Sequence, residues 1–127
     1  MVMRRAKRES VLLVESDLVL RRSARNVLEE CGYTVFDVGD APQAVNLVAV
    51  SDEPVDLLLS DMAMPEMSGP ELYEELVKHR PSLRVLYMTG ISNSIMQRAM
   101  EDAYVFIEKP YDPEELVNSV ERVLARD

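Results

Sequence analysis

The sequence is poor in the residues that build disulfides and soft-metal sites, with one cysteine, Cys31, and one histidine, His79. A single cysteine cannot form an internal disulfide, which fits a reducing cytosol and excludes a cysteine-based metal cluster. His79 stands near the predicted end of a helix, where the helix dipole alone favours it, so a phosphohistidine carrier is disfavoured. Carboxylates are therefore the candidates for chemistry, and a cytoplasmic location is expected.

Long apolar segments are also missing. The uncharged apolar runs are far shorter than the roughly 18 residues that a membrane span requires. The basic first residues lack the apolar region of a signal peptide. A net charge of −9 argues against a surface that binds nucleic acid. Residues 1–8 differ from the rest of the chain because they are basic, and they are predicted to be a tail or linker. One domain is predicted to follow at residues 9–127.

Short apolar runs alternate with helical periodicities along the chain. Five runs have the length and composition of strands buried on both faces of a parallel sheet: residues 11–15, 33–38, 55–60, 83–88 and 104–108. Capping residues and proline predict helices that begin near Asp17, Asp40, Ser68 and Asp112. The first should face the core with Val19 or Leu20, Ala24, Val27 and Leu28. A further segment, residues 92–102, is predicted to be a short and partly irregular helix.

Five successive strand–helix units predict an α/β fold: a doubly wound, five-stranded parallel sheet with helices on both faces. The flavodoxin-like order 2-1-3-4-5 follows, with a crevice where the order reverses, between strands 1 and 3. Glu15, Ser16 and Asp17 follow strand 1, and Asp61 ends strand 3. The topology therefore brings acidic residues to one crevice.

Thr89 and Lys109 reach the same edge, after strands 4 and 5. A carboxylate can act as a nucleophile toward phosphorus. Such a transfer mainly requires that charge on the transferring oxygens be neutralised. A hard cation such as Mg²⁺, a lysine and a hydroxyl can do this, and the chain brings these residue types together.

Four segments in order along the chain match a known pattern: VLLVES (residues 11–16), DLLLSDMAMPEMSGPEL (56–72), RVLYMTG (84–90) and FIEKPYDPEEL (106–116). Through them the chain resembles the CheY-like receiver domain of bacterial two-component systems, found in response regulators and hybrid histidine kinases. The resemblance implies that Asp61 accepts a phosphoryl group, that Lys109 contacts it, and that Thr89 supplies a switch hydroxyl. Phe106 matches the switch aromatic.

The resemblance also implies a Mg²⁺ site made by Glu15, Asp61 and the backbone carbonyl of Ala63. One position departs from the pattern, because Ser16 replaces the second acidic residue of the usual pair, and a neutral oxygen is a poorer Mg²⁺ ligand. Three interpretations stay open. The site binds Mg²⁺ weakly through Glu15, Asp61 and water; or Asp17 reaches in, although it is also suited to cap the first helix; or the domain works without phosphate.

By this resemblance, the chain is expected to take a phosphoryl group from a histidine kinase or phosphotransfer protein and to act on a downstream effector. It would catalyse only its own phosphorylation and dephosphorylation, and is therefore not classed as an enzyme. Contact with nucleic acid or membrane is not expected, and a homodimer stays open. The alternative function is a degenerate, phosphorylation-independent receiver that serves as a protein-interaction module.

Overall fold

The structure is a computed structural model that describes residues 8–90 and 104–126. Five strands form one parallel sheet in the order β2-β1-β3-β4-β5. The strands are β1 (Ser10–Val14), β2 (Thr34–Val38), β3 (Leu57–Asp61), β4 (Arg84–Thr89) and β5 (Val105–Glu108). The helices in the described ranges are α1 (Leu18–Glu30), α2 (Ala41–Val50), α3 (Gly69–Val77) and α4 (Pro113–Leu124). The predicted fold and strand order are confirmed, whereas the segment 92–102 lies outside the described residues.

Both faces of the sheet are covered, because successive side chains of a strand point to opposite sides. In β1, Val11 and Leu13 belong to the apolar layer that α1 and α4 cover, whereas Leu12 and Val14 belong to the layer under α2 and α3. All four side chains are fully buried. Burial of each such side chain stabilises the fold by about 1.5–3 kcal/mol. A strand that is apolar on both faces gains this energy only when helices cover both sides of the sheet, which is the position of the central strands here.

The starts of three helices follow the capping signals in the sequence. Asp40, Ser68 and Asp112 are N-caps whose side chains accept a hydrogen bond from the amide three residues later. Proline stands in the first turn of each helix. These contacts satisfy amides that a helix start would otherwise leave without a partner, which explains the confirmed starting points.

The first turn of α1 corrects one prediction. Ala24 and Leu28 are buried as expected, but Val19 is 75% exposed and Leu20 41% exposed. The helix begins only after the chain has left β1, so its first turn lies beyond the carboxyl end of the strands and has no sheet beneath it. Apolar spacing identified the correct face of the helix but not how far the sheet extends under it.

The adjacency of β1 and β3 creates the crevice predicted between them. Their register pairs Val14 with Ser60 at the carboxyl ends of the two strands. Residues that follow these two positions therefore meet at the point where the strand order reverses. Among the described residues, no helix has both the length and the apolar character needed to cross a bilayer.

Candidate functional site

The carboxyl ends of β1 and β3 bring two buried carboxylates together. Glu15 and Asp61 each come one residue after the last Val14–Ser60 pair, and their side chains are 2% and 10% exposed. A cleft of about 350 Å³ opens beside them, with Ser16, Asp17, Met62, Ala63 and Lys109 also in its walls. The acidic convergence predicted from strand order is therefore present in the structure.

Lys109 joins the two carboxylates. Its Nζ lies 2.6 Å from Oε1 of Glu15 and also forms an ion pair with Oδ1 of Asp61. The backbone amide of Lys109 donates to the carbonyl oxygen of Thr89 over 2.8 Å, which fixes the base of the side chain at the end of β4. The Lys109–Pro110 peptide bond is cis. When both carboxylates are ionised, this group of three side chains keeps one excess negative charge.

Burial and neighbouring charge change the acidity of these groups. Burial raises the pKa of Asp61 to about 6; the Lys109 ammonium opposes the rise, and the Glu15 carboxylate adds to it. Burial also works against the ammonium of Lys109, but its contacts with Asp61 and Glu15 prevail and raise the pKa of Lys109. At neutral pH, Asp61 is thus an ionised carboxylate that an additional cation would stabilise.

The two residues after Glu15 are exposed, in contrast to the buried carboxylates. Oδ1 of Asp17 accepts hydrogen bonds from the amides of Val19 and Leu20, at 2.9 and 3.1 Å. This confirms Asp17 as the N-cap of α1. The amide of Asp17 donates to Oε2 of Glu15 over 3.1 Å. Ser16 is exposed at the rim of the cleft, so the acidic loop contributes one buried carboxylate.

Thr89 and Phe106 lie on the neighbouring strands β4 and β5, with Phe106 at the register position of Tyr87, two residues before Thr89. Thr89 is fully buried at the end of β4, and its register partner in β5 is Glu108. Phe106 is half-buried, and its ring centre lies 5.6 Å from that of Tyr87. Tyr104 packs edge-on against Tyr87 at 5.5 Å. Phe106 is therefore one end of an aromatic cluster that extends over β4.

Arg21 contacts this site, although no sequence pattern had indicated it as a site residue. Its Nη1 donates to the carbonyl oxygen of Glu15 over 2.8 Å, and its Nε donates to Asp37 of β2 over 3.1 Å. Because both contacts depend on how α1 and β2 sit beside β1, no local motif signals them. Arg21 thus links the acidic loop to two other elements.

Gly69 closes the loop that follows Asp61. Its amide donates to the carbonyl oxygen of Met62 over 2.7 Å. A Cβ at this position would lie 2.6 Å from the carbonyl oxygen of Asp61 and 3.1 Å from the ring of Tyr87. The loop can therefore return this close to the end of β3 because residue 69 has no side chain.

Comparison with known proteins assigns the chain to a family. Residues 11–121 match the family model of the response regulator receiver domain. The chain belongs to the response regulator receiver family. This receiver domain is 34% identical over 117 residues to the response regulator receiver protein CpdR of Brucella abortus, covering 90% of this chain and 95% of that protein.

Two further comparisons show how much of other proteins this chain resembles. The sensor kinase CckA of Brucella abortus is 29% identical over 119 residues, which cover 92% of this chain but 13% of the kinase. The solved signal receiver domain of an HD domain-containing protein from Pseudomonas fluorescens Pf-5 is 30% identical, with a TM-score of 0.78 over 93% of this chain and 95% of that one. The chain therefore corresponds to only a small part of the length of the kinase CckA.

Membership of the family confirms the resemblance found in the sequence. Receiver domains are regulatory modules of signal transduction and not classical enzymes. They generally bind Mg²⁺ in an acidic pocket. Within residues 8–90 and 104–126, no three acidic, histidine or cysteine side chains form a cluster that could hold a metal. Of the three carboxylate residues that line the cleft, Glu15 and Asp61 are buried, whereas Asp17 is the exposed N-cap of α1.

The donor chemistry of this pocket nevertheless fits Mg²⁺. Proteins commonly hold this ion through one or two carboxylates, and waters and phosphate oxygens complete the shell. Glu15 and Asp61 are hard oxygen donors on one side of the cleft, and Ala63 lies in its wall. Ser16 could add only a neutral oxygen, so the set corresponds to a Mg²⁺ site with fewer charged ligands than a full acidic pair would provide.

Proposed function

We propose that this receiver domain accepts a phosphoryl group on Asp61 from the phosphohistidine of a partner kinase or phosphotransfer protein. The observation that carries the proposal is the ion pairing of Lys109 with both Glu15 and Asp61 at the switch point of the sheet. A buried carboxylate with a mobile ammonium beside it supplies both the nucleophile and part of the charge compensation that phosphoryl transfer requires.

The transfer would form one bond and break another. A carboxylate oxygen of Asp61 attacks phosphorus, the P–N bond to the donor imidazole breaks, and the nitrogen keeps the bonding electron pair. Lys109 contacts the phosphoryl oxygens, and the hydroxyl of Thr89 donates a hydrogen bond to them. Glu15, Asp61 and the carbonyl oxygen of Ala63 would hold Mg²⁺, which when bound would neutralise charge on the transferring group. Hydrolysis of the acyl phosphate later restores the carboxylate.

The same proposal gives Thr89 and Phe106 the role of a switch. A phosphoryl group on Asp61 adds negative charge and hydrogen-bond acceptors at the end of β3. Movement of the Thr89 hydroxyl toward it would change the end of β4, whose residue Tyr87 packs against Phe106. A shift of the aromatic cluster would then favour one of two arrangements of the surface around β5. An effector that binds only one arrangement would respond to phosphorylation.

The exposed first turn of α1 supports a protein partner as the phosphoryl donor. Leu18, Val19 and Leu20 are all more than 40% exposed beside the cleft. Leu20 also lines an apolar depression with Pro110 and Tyr111, next to Lys109. Exposed apolar residues of this kind suit a protein contact. The domain is proposed to act in the cytoplasm, in keeping with its free Cys31; the effector and a homodimer stay predictions.

A small phosphodonor tests the proposal without the partner. We expect intact-mass spectrometry to show one phosphate adduct on the wild-type protein with acetyl phosphate and Mg²⁺. The adduct should be absent from Asp61→Asn and retained by Asp52→Asn, whose carboxylate is exposed in the segment that precedes β3. Absence of an adduct on wild type at saturating Mg²⁺ would contradict the proposal. It would favour the phosphorylation-independent interaction module, the alternative that Ser16 suggests.

A further inference from the structure

Arg21 connects three elements at the acidic end of the site. It lies in the second turn of α1, donates from Nη1 to the Glu15 carbonyl oxygen at 2.8 Å, and donates from Nε to Asp37 of β2 at 3.1 Å. Its side chain is 18% exposed and that of Asp37 16%. A planar guanidinium can serve both acceptors at once with little further loss of conformational freedom, whereas a lysine cannot reproduce this geometry.

The neighbouring Arg25 offers a natural comparison. It also lies on α1 and also forms an ion pair with Asp37, and its Nε pairs with Glu29 at 3.2 Å. Its contacts are with side chains of β2 and of its own helix, whereas Arg21 reaches the backbone of the acidic loop. The two arginines therefore share an ion-pair network but differ in their contact with Glu15.

Each polar group of Glu15 takes part in a hydrogen bond or an ion pair. Its Oε1 is paired with Lys109 and its Oε2 accepts from the amide of Asp17. β1 ends at Val14, so the carbonyl oxygen of Glu15 lies past the last residue of the strand. A hydrogen bond from the charged Arg21 to this carbonyl is stronger than one between neutral groups, and it holds the peptide plane from which the Glu15 side chain projects.

Gly39 makes room for this contact. A Cβ at residue 39 would lie 2.9 Å from Nη1 of Arg21. The backbone of Gly39 does not have a positive φ, so an alanine there would crowd the guanidinium without forcing an unusual backbone conformation. The chain thus contains a second position from which the Arg21–Glu15 contact can be disturbed while Arg21 itself is kept.

We propose that Arg21 is a positioning residue for the metal-binding carboxylate of Glu15, with Asp37 orienting its guanidinium. This inference rests on the proposed phospho-acceptor function, because it assigns Glu15 to the cation. Loss of the contact would let the loop at residues 15–17 move relative to Asp61. In metal sites, the groups that orient a ligand commonly account for about 10–100-fold in affinity. A site with two carboxylates depends strongly on the placement of each.

The experiment compares Arg21→Gln and Gly39→Ala with the matched control Arg25→Gln. Mg²⁺ affinity is measured by isothermal titration calorimetry. Amide hydrogen exchange at Asp17, whose N–H donates to Glu15, is measured by NMR in metal-free protein. We expect Arg21→Gln to raise the Mg²⁺ dissociation constant about tenfold and Gly39→Ala to raise it in the same direction. Both should speed exchange at Asp17, and Arg25→Gln should stay within about twofold of wild type in both measurements.

Two outcomes would overturn the inference. One is unchanged Mg²⁺ affinity and unchanged exchange at Asp17 in Arg21→Gln and Gly39→Ala. The other is an equal loss of affinity in Arg25→Gln, which would show that the ion-pair network stabilises α1 without any specific effect on Glu15. A wild-type protein that binds no Mg²⁺ would instead contradict the proposed function. The exchange of the Asp17 amide would then still decide whether Arg21 holds the acidic loop.

Discussion

Asp61→Asn should stabilise the metal-free protein at neutral pH, although it removes an ion pair. Burial raises the pKa of Asp61 from 3.8 to about 6 even with Lys109 beside it. A difference of one in pKa corresponds to ~1.4 kcal/mol, so ionised Asp61 destabilises the fold by up to about 3 kcal/mol relative to its protonated form. The cleft is open to water, which screens the charge, and we expect about 1.5 kcal/mol to be measured. Lys109 keeps its partner Glu15 in the variant.

The sign of the pH dependence follows from the raised pKa. Below pH 3.8, Asp61 is protonated in both the folded and the unfolded protein, and its stabilising contribution is fully present. As the pH rises through about 6, the folded protein must release a proton that the unfolded chain has already lost, so that contribution disappears. Asparagine imitates the protonated carboxyl at every pH. The free energy of unfolding of Asp61→Asn should therefore exceed that of wild type by an amount that grows from pH 4.5 to pH 7.

Urea unfolding in EDTA at several pH values between 4.5 and 8 measures this difference. Asp52→Asn removes the same charge from an exposed position and corrects for the change in net charge. A stability difference that does not vary with pH would show that burial does not govern the ionisation of Asp61. An Asp61→Asn protein less stable than wild type at pH 8 would show that the pairing with Lys109 outweighs burial, and would refute the reasoning.

Three other substitutions test separate contacts. Ser16→Asp should lower the Mg²⁺ dissociation constant, measured by calorimetry, because it adds a charged oxygen at the rim of the cleft; unchanged affinity would mean that residue 16 does not reach the ion. Gly69→Ala should lower the stability to urea by about 1–3 kcal/mol, since its Cβ would lie 2.6 Å from the carbonyl oxygen of Asp61, and a stability equal to wild type would show that the loop relaxes freely. Tyr87→Phe should raise the free energy of unfolding by about 1 kcal/mol, because within residues 8–90 and 104–126 the buried Tyr87 hydroxyl has no hydrogen-bond partner; a loss of stability would reveal a partner for that hydroxyl.

The parts of the fold that follow from local patterns were predictable. Each apolar run became a strand with boundaries within about two residues of the prediction, and Asp40, Ser68 and Asp112 began helices through contacts that span only three residues. The meeting of Glu15 with Asp61 could also be predicted, because alternating strands and helices leave few topologies. In these cases the information lies within one element or in the order of the elements.

Contacts that depend on register or on the extent of neighbouring elements were not predictable. Apolar spacing indicated Val19 or Leu20 as a core residue, but the end of β1 leaves both exposed. The link from Arg21 to Asp37 joins residues 16 apart through the placement of α1 against β2. Nothing in the residues around Arg21 distinguishes it from Arg25, although only the contact of Arg21 reaches the backbone of Glu15 in the described structure.

If the proposed function holds, Lys109 would serve two states of the site that differ in charge. In the metal-free protein, its ammonium compensates two buried carboxylates, and these contacts raise the pKa of Lys109 and keep it charged. A divalent cation at Glu15 and Asp61 would take over that compensation and weaken the hold of both carboxylates on the ammonium. A phosphoryl group on Asp61 would then offer Lys109 a new anion within reach, without a change in the backbone that anchors Lys109 to Thr89. Replacing Lys109 with methionine should therefore lower the stability of both the metal-free and the phosphorylated protein, because each would lose the positive charge that compensates its anionic groups.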